Sequence, residues 1–293
     1  MDFFLTQCIQ MNNVFDENTL STFLGYPTPG NALMYSIIVL YAEVLGISIS
    51  ILLAIISLID FSLGSFEAQH IYTPIKKPIG LNQRVESFLD IFFFIFPTLT
   101  ILYILVPTLG HLYNTDFSMN NVNGLFTIDV IGRQWYWTYV YHYDLFGYTS
   151  LTNIVCDTFD RVVSFDSIMV DSSTNRLLAV DNALVVPVDV PVTLSITAFD
   201  VIHSFALPQL GIKVDAIPGR VAQALLVVNY VGTYYGQCSE LCGVYHGFMP
   251  IVLEAVTLES FFDWYTLHLG VNLSYIFMNN SRARFWLEAL GEI

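Results

Sequence analysis

Charge is what this sequence has least of. Of its 293 residues only 12% are Asp, Glu, Lys or Arg, about half the share of an average soluble domain. The shortage is mostly of bases: 10 Lys and Arg stand against 25 Asp and Glu, a formal charge of −15. A chain so poor in cations cannot coat a phosphate backbone, so nucleic acid is excluded as a partner and a basic protein or a cation is favoured. Cysteine is scarce as well, and four in the whole chain are too few for a disulfide scaffold. The first residues, Met1-Asp2-Phe3-Phe4, carry no basic stretch ahead of an apolar one. Arg-rich transit character is also missing, so no cleaved leader is expected. No internal repeat or low-complexity tract is present, which sets aside collagen-like chains and compositional disorder.

What fills the space is apolar. Hydrophobic residues make up 55% of the chain, and the mean hydropathy is +0.60. The run 33–59 holds a single charge, Glu43, in 27 residues. A hydrocarbon core of ~30 Å takes about 20 apolar residues in a helix, so this run can cross a membrane with length to spare. The run 91–109 has no charge. It contains Pro97 and Pro107, which membrane helices tolerate better than soluble ones. A buried hairpin of a large soluble protein fits less well, because core helices rarely stay apolar all round for so long. A transmembrane helical hairpin over 33–113 is therefore expected. Its connecting loop holds Lys76, Lys77 and Arg84, while residues 1–32 hold no base. Basic loops stay on the cytoplasmic or matrix side, which places both ends of the chain in the periplasm or intermembrane space. Glu43 is costly in lipid and is expected to face a protein partner. Residues 1–32 read as a polar extension with turn residues Pro27, Pro29 and Gly30.

After Tyr113 the texture changes. Val192, Leu194, Ile196 and Ala198 alternate with Thr193, Ser195 and Thr197, the period of a half-buried strand. Residues 221–228 and 250–256 also read as strands. Short strands divided by Pro, Gly and Asn point to a β-sandwich or barrel over 114–266. From residue 114 onward there are 17 acids and 7 bases, so the acidity lies mainly outside the membrane. Residues 267–293 read as a C-terminal extension with a possible amphipathic helix.

The sharpest feature is the segment 238–249, Cys-Ser-Glu-Leu-Cys-Gly-Val-Tyr-His-Gly-Phe-Met. Two thiolates, Cys238 and Cys242, an imidazole, His246, and a thioether, Met249, fall within it. Sulfur and imidazole together select copper, zinc or iron. The thioether argues against zinc, and Cys-x-x-x-Cys is not the spacing of haem attachment. A mononuclear blue copper site needs one thiolate. Two thiolates can bridge two copper ions, each of which then needs its own imidazole. His203, directly after the alternating strand, can supply the second. His70, His111, His142 and His268 have no comparable company. A Cys238–Cys242 disulfide and a structural Cys/His zinc site are the plainer alternatives. Cys8 and Cys156 read as ordinary thiols.

Other blocks join this one: Asp200-Val201-Ile202-His203-Ser204, Pro218-Gly219-Arg220, and Gln134-Trp135-Tyr136-Trp137 with Tyr139 and Tyr141. Together they resemble the subunit II family of the haem–copper cytochrome c oxidases, from about residue 30 to residue 266. The resemblance implies a two-helix transmembrane hairpin followed by an all-β cupredoxin-like sandwich outside the membrane. It implies a binuclear, mixed-valence copper centre, CuA, with Cys238 and Cys242 bridging both ions. His203 and Met249 would complete one copper, and His246 and the main-chain carbonyl of Glu240 the other. The Glu240 side chain would help bind magnesium at the boundary with subunit I, and a hard carboxylate suits that ion. Trp135 would be where an electron enters from cytochrome c. Asp215 and Arg220 would lie near subunit I, where salt-bridging serves as well as any part in the electron path. The implied function is to take electrons from cytochrome c and pass them to haem in subunit I, which reduces oxygen to water and pumps protons. The implied partners are subunit I, other subunits of the complex, cytochrome c and membrane lipid. The missing leader, few Lys and many Phe favour the mitochondrial inner membrane over a bacterial plasma membrane.

Three positions depart from the family pattern: Arg133 stands where His is usual, and Val140 and Phe199 stand where acids are usual. Asp144, Asp157 and Asp160, in or beside a longer segment at 145–162, are expected to supply replacement charge for a basic donor. A quinol oxidase subunit II would lack the copper ligands. A copper carrier would need neither two spans nor the Trp135 block. Nitrous oxide reductase shares the copper motif but resembles a soluble protein with a large propeller.

Overall fold

The computed structural model describes residues 25–65, 83–121, 124, 126–142, 162–171 and 175–269. Expectations for residues 1–24, for Cys8, His70, Lys76, Lys77, Asp144, Asp157, Asp160 and Cys156, and for the tail beyond 269 fall outside them. The chain divides into two compact units. One includes Ser36–Asp116, and the other includes Phe15–Tyr35 with Phe117–Ile293.

Both apolar runs are helical. Helix α1 covers Ala32–Ser65 and α2 covers Gln83–Asn121, with Pro97 and Pro107 inside it. Mean hydropathy reaches 2.5 in Ala32–Gly64 and 2.3 in Glu86–Tyr113, and neither apolar window is buried by protein. Side chains such as Leu52, Ile56, Phe61, Phe94 and Ile101 face outward. Water would not tolerate such surfaces, and lipid would. Ser48, Ser50, Ser57, Thr98, Thr100 and Thr108 each donate a hydroxyl to the carbonyl four residues back, at 2.8 to 2.9 Å. These hydroxyls therefore need no water. Both helices outrun the apolar stretches. At 1.5 Å per residue they are about 50–60 Å long, which leaves their ends past a ~30 Å core or requires tilt. Helix α2 continues beyond Tyr113, because the polar residues that follow contain no helix breaker.

The second unit is a sandwich. Its strands are β1 (Phe126–Arg133), β2 (Tyr136–Tyr141), β3 (Val163–Ser167), β4 (Leu184–Pro187), β5 (Val192–Ala198), β6 (His203–Leu207), β7 (Ile212–Ala216), β8 (Ala222–Leu226), β9 (Gly232–Gln237) and β10 (Pro250–Val256). One sheet runs in the order β3-β2-β1-β5-β8, a second in the order β4-β10-β9, and β6 and β7 form a hairpin. Strand β5 shows the alternating burial that its sequence predicts. It pairs in parallel with β1 and antiparallel with β8. The expected strands at 221–228 and 250–256 are β8 and β10. Ile128, Val130, Leu194, Ile196, Leu207 and Leu253 have no exposed surface and belong to one continuous core. Tyr141 is locked into it from both sides: its hydroxyl donates to Val185 O at 2.8 Å and accepts from Val185 N at 2.9 Å. Helix α3 (Leu258–Leu269) starts at Thr257, whose hydroxyl accepts the Ser260 amide as an N-cap does. It buries Phe261 against Phe126, ring centroids 5.4 Å apart.

The segment leading into α1 is bonded to this unit. Gly30 N donates to Gln209 O, and Gly30 O accepts from Asn229 N. A Cβ at Gly30 would lie 2.4 Å from the Tyr234 ring, so only glycine fits there. Asn31 caps α1 by accepting from Met34 N, while its amide donates to Leu210 O and Val227 O.

Candidate metal centre

The β9–β10 connection carries the Cys/His/Met segment, and its two stems are neighbours. Gln237 pairs with Pro250, so Cys238 and Met249 are the first residues beyond a closed antiparallel ladder. A 3-10 turn at His246–Phe248 leads the chain back. Ser239 N donates to Ser204 O at 3.1 Å, tying the loop to β6 one residue beyond His203. That strand holds His203 opposite Ala216 of β7.

These elements gather the soft side chains. The Cys238 and Cys242 sulfurs are 3.9 Å apart and both cysteines are free. A disulfide needs ~2.05 Å, so that alternative is not what the fold holds. From Cys242 Sγ, Met249 Sδ is 3.5 Å away and His246 Nδ1 is 3.6 Å away. Cys238 Sγ lies 3.3 Å from the Glu240 carbonyl oxygen. His203, Cys238 and Cys242 place their ligand atoms within 4.8 Å of one another, the one such group among the described residues.

His203 is the best oriented of these residues. Its ring is fully buried, and Nε2 lies 2.9 Å from Asp200 Oδ1. A carboxylate can only accept, so Nε2 carries a hydrogen, and when the ring is neutral Nδ1 presents the lone pair. Nδ1 is buried without a hydrogen-bond partner. An orphaned imidazole nitrogen beside two thiols and a thioether fits a soft metal, and the Asp200 contact is the outer partner that metal-binding histidines usually have.

Gly132, on β1, makes room for this ring. A Cβ there would lie 2.9 to 3.1 Å from His203 carbons. The aromatic block divides between core and turn. Trp137 is buried, donates Nε1 to Met249 O and meets His203 edge-on, while Tyr139 and Tyr141 are core. Trp135 sits in the two-residue turn between β1 and β2, and its Nε1 donates to Cys242 O at 3.3 Å.

Protonation follows these contacts. Burial resists ionisation of Cys238, but the His203 ring and the backbone at Ser204 and Glu240 outweigh it and bring the thiol down to about 6. Burial and then the charge on Cys238 push Cys242 up to about 12. Burial opposes the charged form of His203, yet Cys238 and Asp200 hold its pKa above the usual value. Asp200 is held below its usual value despite burial, by His203 and by the amides of Val201 and Gln134.

The histidines without ligand company stand in other elements. His111 is in α2. His142 contacts Asp129 at 2.7 Å, and His268 Nδ1 donates to Trp264 O. Asp215 accepts from the Ser204 hydroxyl at 2.8 Å. Among the described residues neither it nor Arg220 forms an ion pair. Asp200, Gln134 and Gly132 support the site, yet the sequence offered no role for them. The one available hint was Asp200 three residues before His203.

Residues 126–256 match the family described as cytochrome c oxidase subunit II, periplasmic domain. Cytochrome c oxidase subunit 2 of Zea mays is 38% identical over 246 residues, covering 82% of this chain and 87% of that protein. The probable cytochrome c oxidase subunit 2 of Rickettsia prowazekii is 34% identical over 264 residues, covering 88% of this chain and 76% of that protein. The solved periplasmic domain of subunit II of cytochrome oxidase of Bradyrhizobium japonicum is 41% identical, covers 48% of this chain and 91% of its own, and superposes with a TM-score of 0.42. The two subunit 2 proteins match far more than the sandwich, so the helices and the copper-type loop share one ancestry: this membrane chain belongs to the cytochrome c oxidase subunit II family and serves electron transfer in that oxidase.

Proposed function

We propose that this chain is the electron-accepting subunit of the oxidase and holds a binuclear copper centre. Cys238 and Cys242 would bridge the two ions, with His203 and Met249 on one and His246 and the Glu240 carbonyl on the other. A thiolate-bridged copper pair supplies a one-electron store whose charge is shared over two metals. The observation that carries this reading is the convergence of two free thiols 3.9 Å apart with the orphaned Nδ1 of a buried His203.

The protein's own part is to hold these donors still. Asp200 fixes the His203 tautomer, Trp137 braces the Met249 backbone, and the β9–β10 stems fix the loop ends. Trp135 is the residue at which an electron arrives from a reduced c-type cytochrome, because its indole N–H reaches the carbonyl of a bridging cysteine. The domain's excess of acids would steer a basic donor toward it. The exposed Glu240 carboxylate is offered for magnesium at the boundary with subunit I, where the electron passes on to haem. Subunit I then reduces oxygen to water and pumps protons. Boundaries at 32, 113 and 266 divide the N-terminal extension, hairpin, copper domain and C-terminal extension. Location in the mitochondrial inner membrane, with the copper domain in the intermembrane space, is favoured by the composition. A bacterial plasma membrane is the alternative, since relatives of both kinds match comparably.

The test is metal analysis and electron paramagnetic resonance of the purified oxidase, with Cys242→Ser as comparison. Two coppers assigned to this chain, sharing one unpaired electron, are expected, and the signal should vanish in the variant. One copper, or zinc, in this chain would overturn the proposal.

A further inference from the structure

We propose that Gln134 is the positioning residue that holds Trp135 against the copper loop, an inference that rests on Trp135 being the point of electron uptake. The turn between β1 and β2 has only two residues, Gln134 and Trp135, and both side chains reach the same acceptor. Gln134 Nε2 donates to Cys242 O at 2.9 Å, and Trp135 Nε1 donates to it at 3.3 Å. The glutamine bond is the shorter. Both donors share the one carbonyl oxygen.

Gln134 is also held through its backbone. Its N–H donates to Asp200 Oδ2 at 2.7 Å, and Asp200 Oδ1 contacts His203 Nε2 at 2.9 Å. One residue thus connects the turn to both halves of the site: to the cysteine loop through its side chain, and to the His203 side through Asp200. The exposed Gln134 side chain would be fully hydrated in a free turn, yet it bonds to a backbone 108 positions away in sequence.

The opposite wall is shaped to match. Gly243 has φ +127°, and a Cβ there would lie 3.0 Å from Trp135 Cζ2 and 3.4 Å from Gln134 Nε2. The two side chains occupy the space a larger residue would take. Beyond the glycine, Tyr245 meets the indole edge-on, ring centroids 5.0 Å apart. Without the Gln134 amide, the indole keeps its long hydrogen bond, this edge contact and its packing on the core, and loses the shorter polar tie beside it. The turn, still tied to Asp200 through the Gln134 N–H, is then freer to move away from the copper loop. One electron passes from reduced cytochrome to copper and no bond or proton moves, so the rate depends on how closely Trp135 is held.

The experiment uses the purified oxidase carrying Gln134→Met, which keeps side-chain length and loses the donor, beside Trp135→Phe. Rapid-mixing reduction of the copper centre is measured with reduced c-type cytochrome and, separately, with hexaammineruthenium(II). Cytochrome affinity, copper content and amide exchange of residues 132–136 in the metal-free chain are also measured. Gln134→Met is expected to slow reduction by cytochrome on the order of 10-fold. Affinity, copper content and reduction by the ruthenium complex should stay unchanged, and the turn amides should exchange faster. An unchanged cytochrome rate, equal slowing with both reductants, weaker cytochrome binding that accounts for the slowing, or loss of copper would each overturn the positioning role. Slow Trp135→Phe with normal Gln134→Met defeats this inference alone. Normal Trp135→Phe defeats the role of Trp135, and this proposal with it.

Discussion

Gly132→Ala should damage the copper site from a strand that touches no metal ligand by sequence. The added Cβ would stand 2.9, 3.0 and 3.1 Å from His203 Cδ2, Cγ and Cβ, where carbon atoms prefer about 3.5–4.0 Å. The ring must retreat by about 0.5–1 Å to reach that spacing. It has little freedom to do so. It is fully buried, Asp200 holds Nε2 at 2.9 Å, and Trp137 abuts it. Overpacking of this kind costs about 1–3 kcal/mol. At about 2–4 °C per kcal/mol for a domain of this size, melting should fall by roughly 2–12 °C. With His203 as the ligand proposed above, a comparable cost should fall on metal binding, roughly a 5- to 150-fold loss of copper affinity. Chelator competition on the purified oxidase reads that loss, and Gly232→Ala is the control, since nothing lies within 4 Å of its Cβ. If Gly132→Ala holds copper as tightly as Gly232→Ala, with the same spectrum, then His203 does not bind the metal.

Three further outcomes follow from the same geometry. Cys238 titrates near 6 and Cys242 near 12, so between those limits copper loading must displace the Cys242 proton. Affinity should rise about tenfold per pH unit in the upper part of that window and fall more steeply at lower pH, where His203, held above its usual value, and then Cys238 are protonated too; proton release measured by calorimetry in two buffers checks it. Asn31→Ala removes a cap and leaves the Leu210 and Val227 carbonyls without their donor, so the protein should lose about 1–3 kcal/mol in denaturant titration, and Asn31→Ser, whose hydroxyl can still cap the helix, should lose less. The Arg133 guanidinium lies 4.4 Å over the exposed Phe199 ring, so Phe199→Glu should raise the rate of reduction by a basic cytochrome several-fold at low ionic strength and steepen its salt dependence; an unchanged salt profile would place the donor elsewhere.

The parts of this architecture that local pattern controls were readable in the sequence. The period of two over Val192–Ala198 gave β5 its buried face, and the charge-free runs gave α1 and α2. The 238–249 segment showed its sulfur and nitrogen donors because a tight loop keeps ligands close in sequence. Helix α3 was less visible: its apolar residues Phe261, Trp264 and Tyr265 are few, and its burial depends on Phe126 and Tyr141 from distant strands. The parallel pairing of β1 with β5 cannot be seen in either strand's own periodicity. Asp200, Gln134 and Gly132 escaped for a different reason. Each acts on a residue brought near only by folding, and polar or small residues in turns have many uses that composition does not distinguish.

The metal site is prepared in position before it is prepared in charge. Three separate junctions fix the donor atoms: the Gln237–Pro250 pair under the loop stems, the Ser239–Ser204 hydrogen bond between loop and β6, and the Asp200 contact behind His203. None of them uses a donor electron pair that a metal needs. The protons are arranged otherwise. One thiol ionises readily beside His203, and its charge then keeps the second protonated. Two bare thiolates 3.9 Å apart would repel strongly in a buried loop, so the metal-free protein avoids that repulsion by retaining one proton. Only a cation placed between the sulfurs can hold both in the ionised form. The same closeness that suits the loop to bridging keeps at least one of the two sulfurs protonated without metal, and that is why metal loading must be coupled to pH.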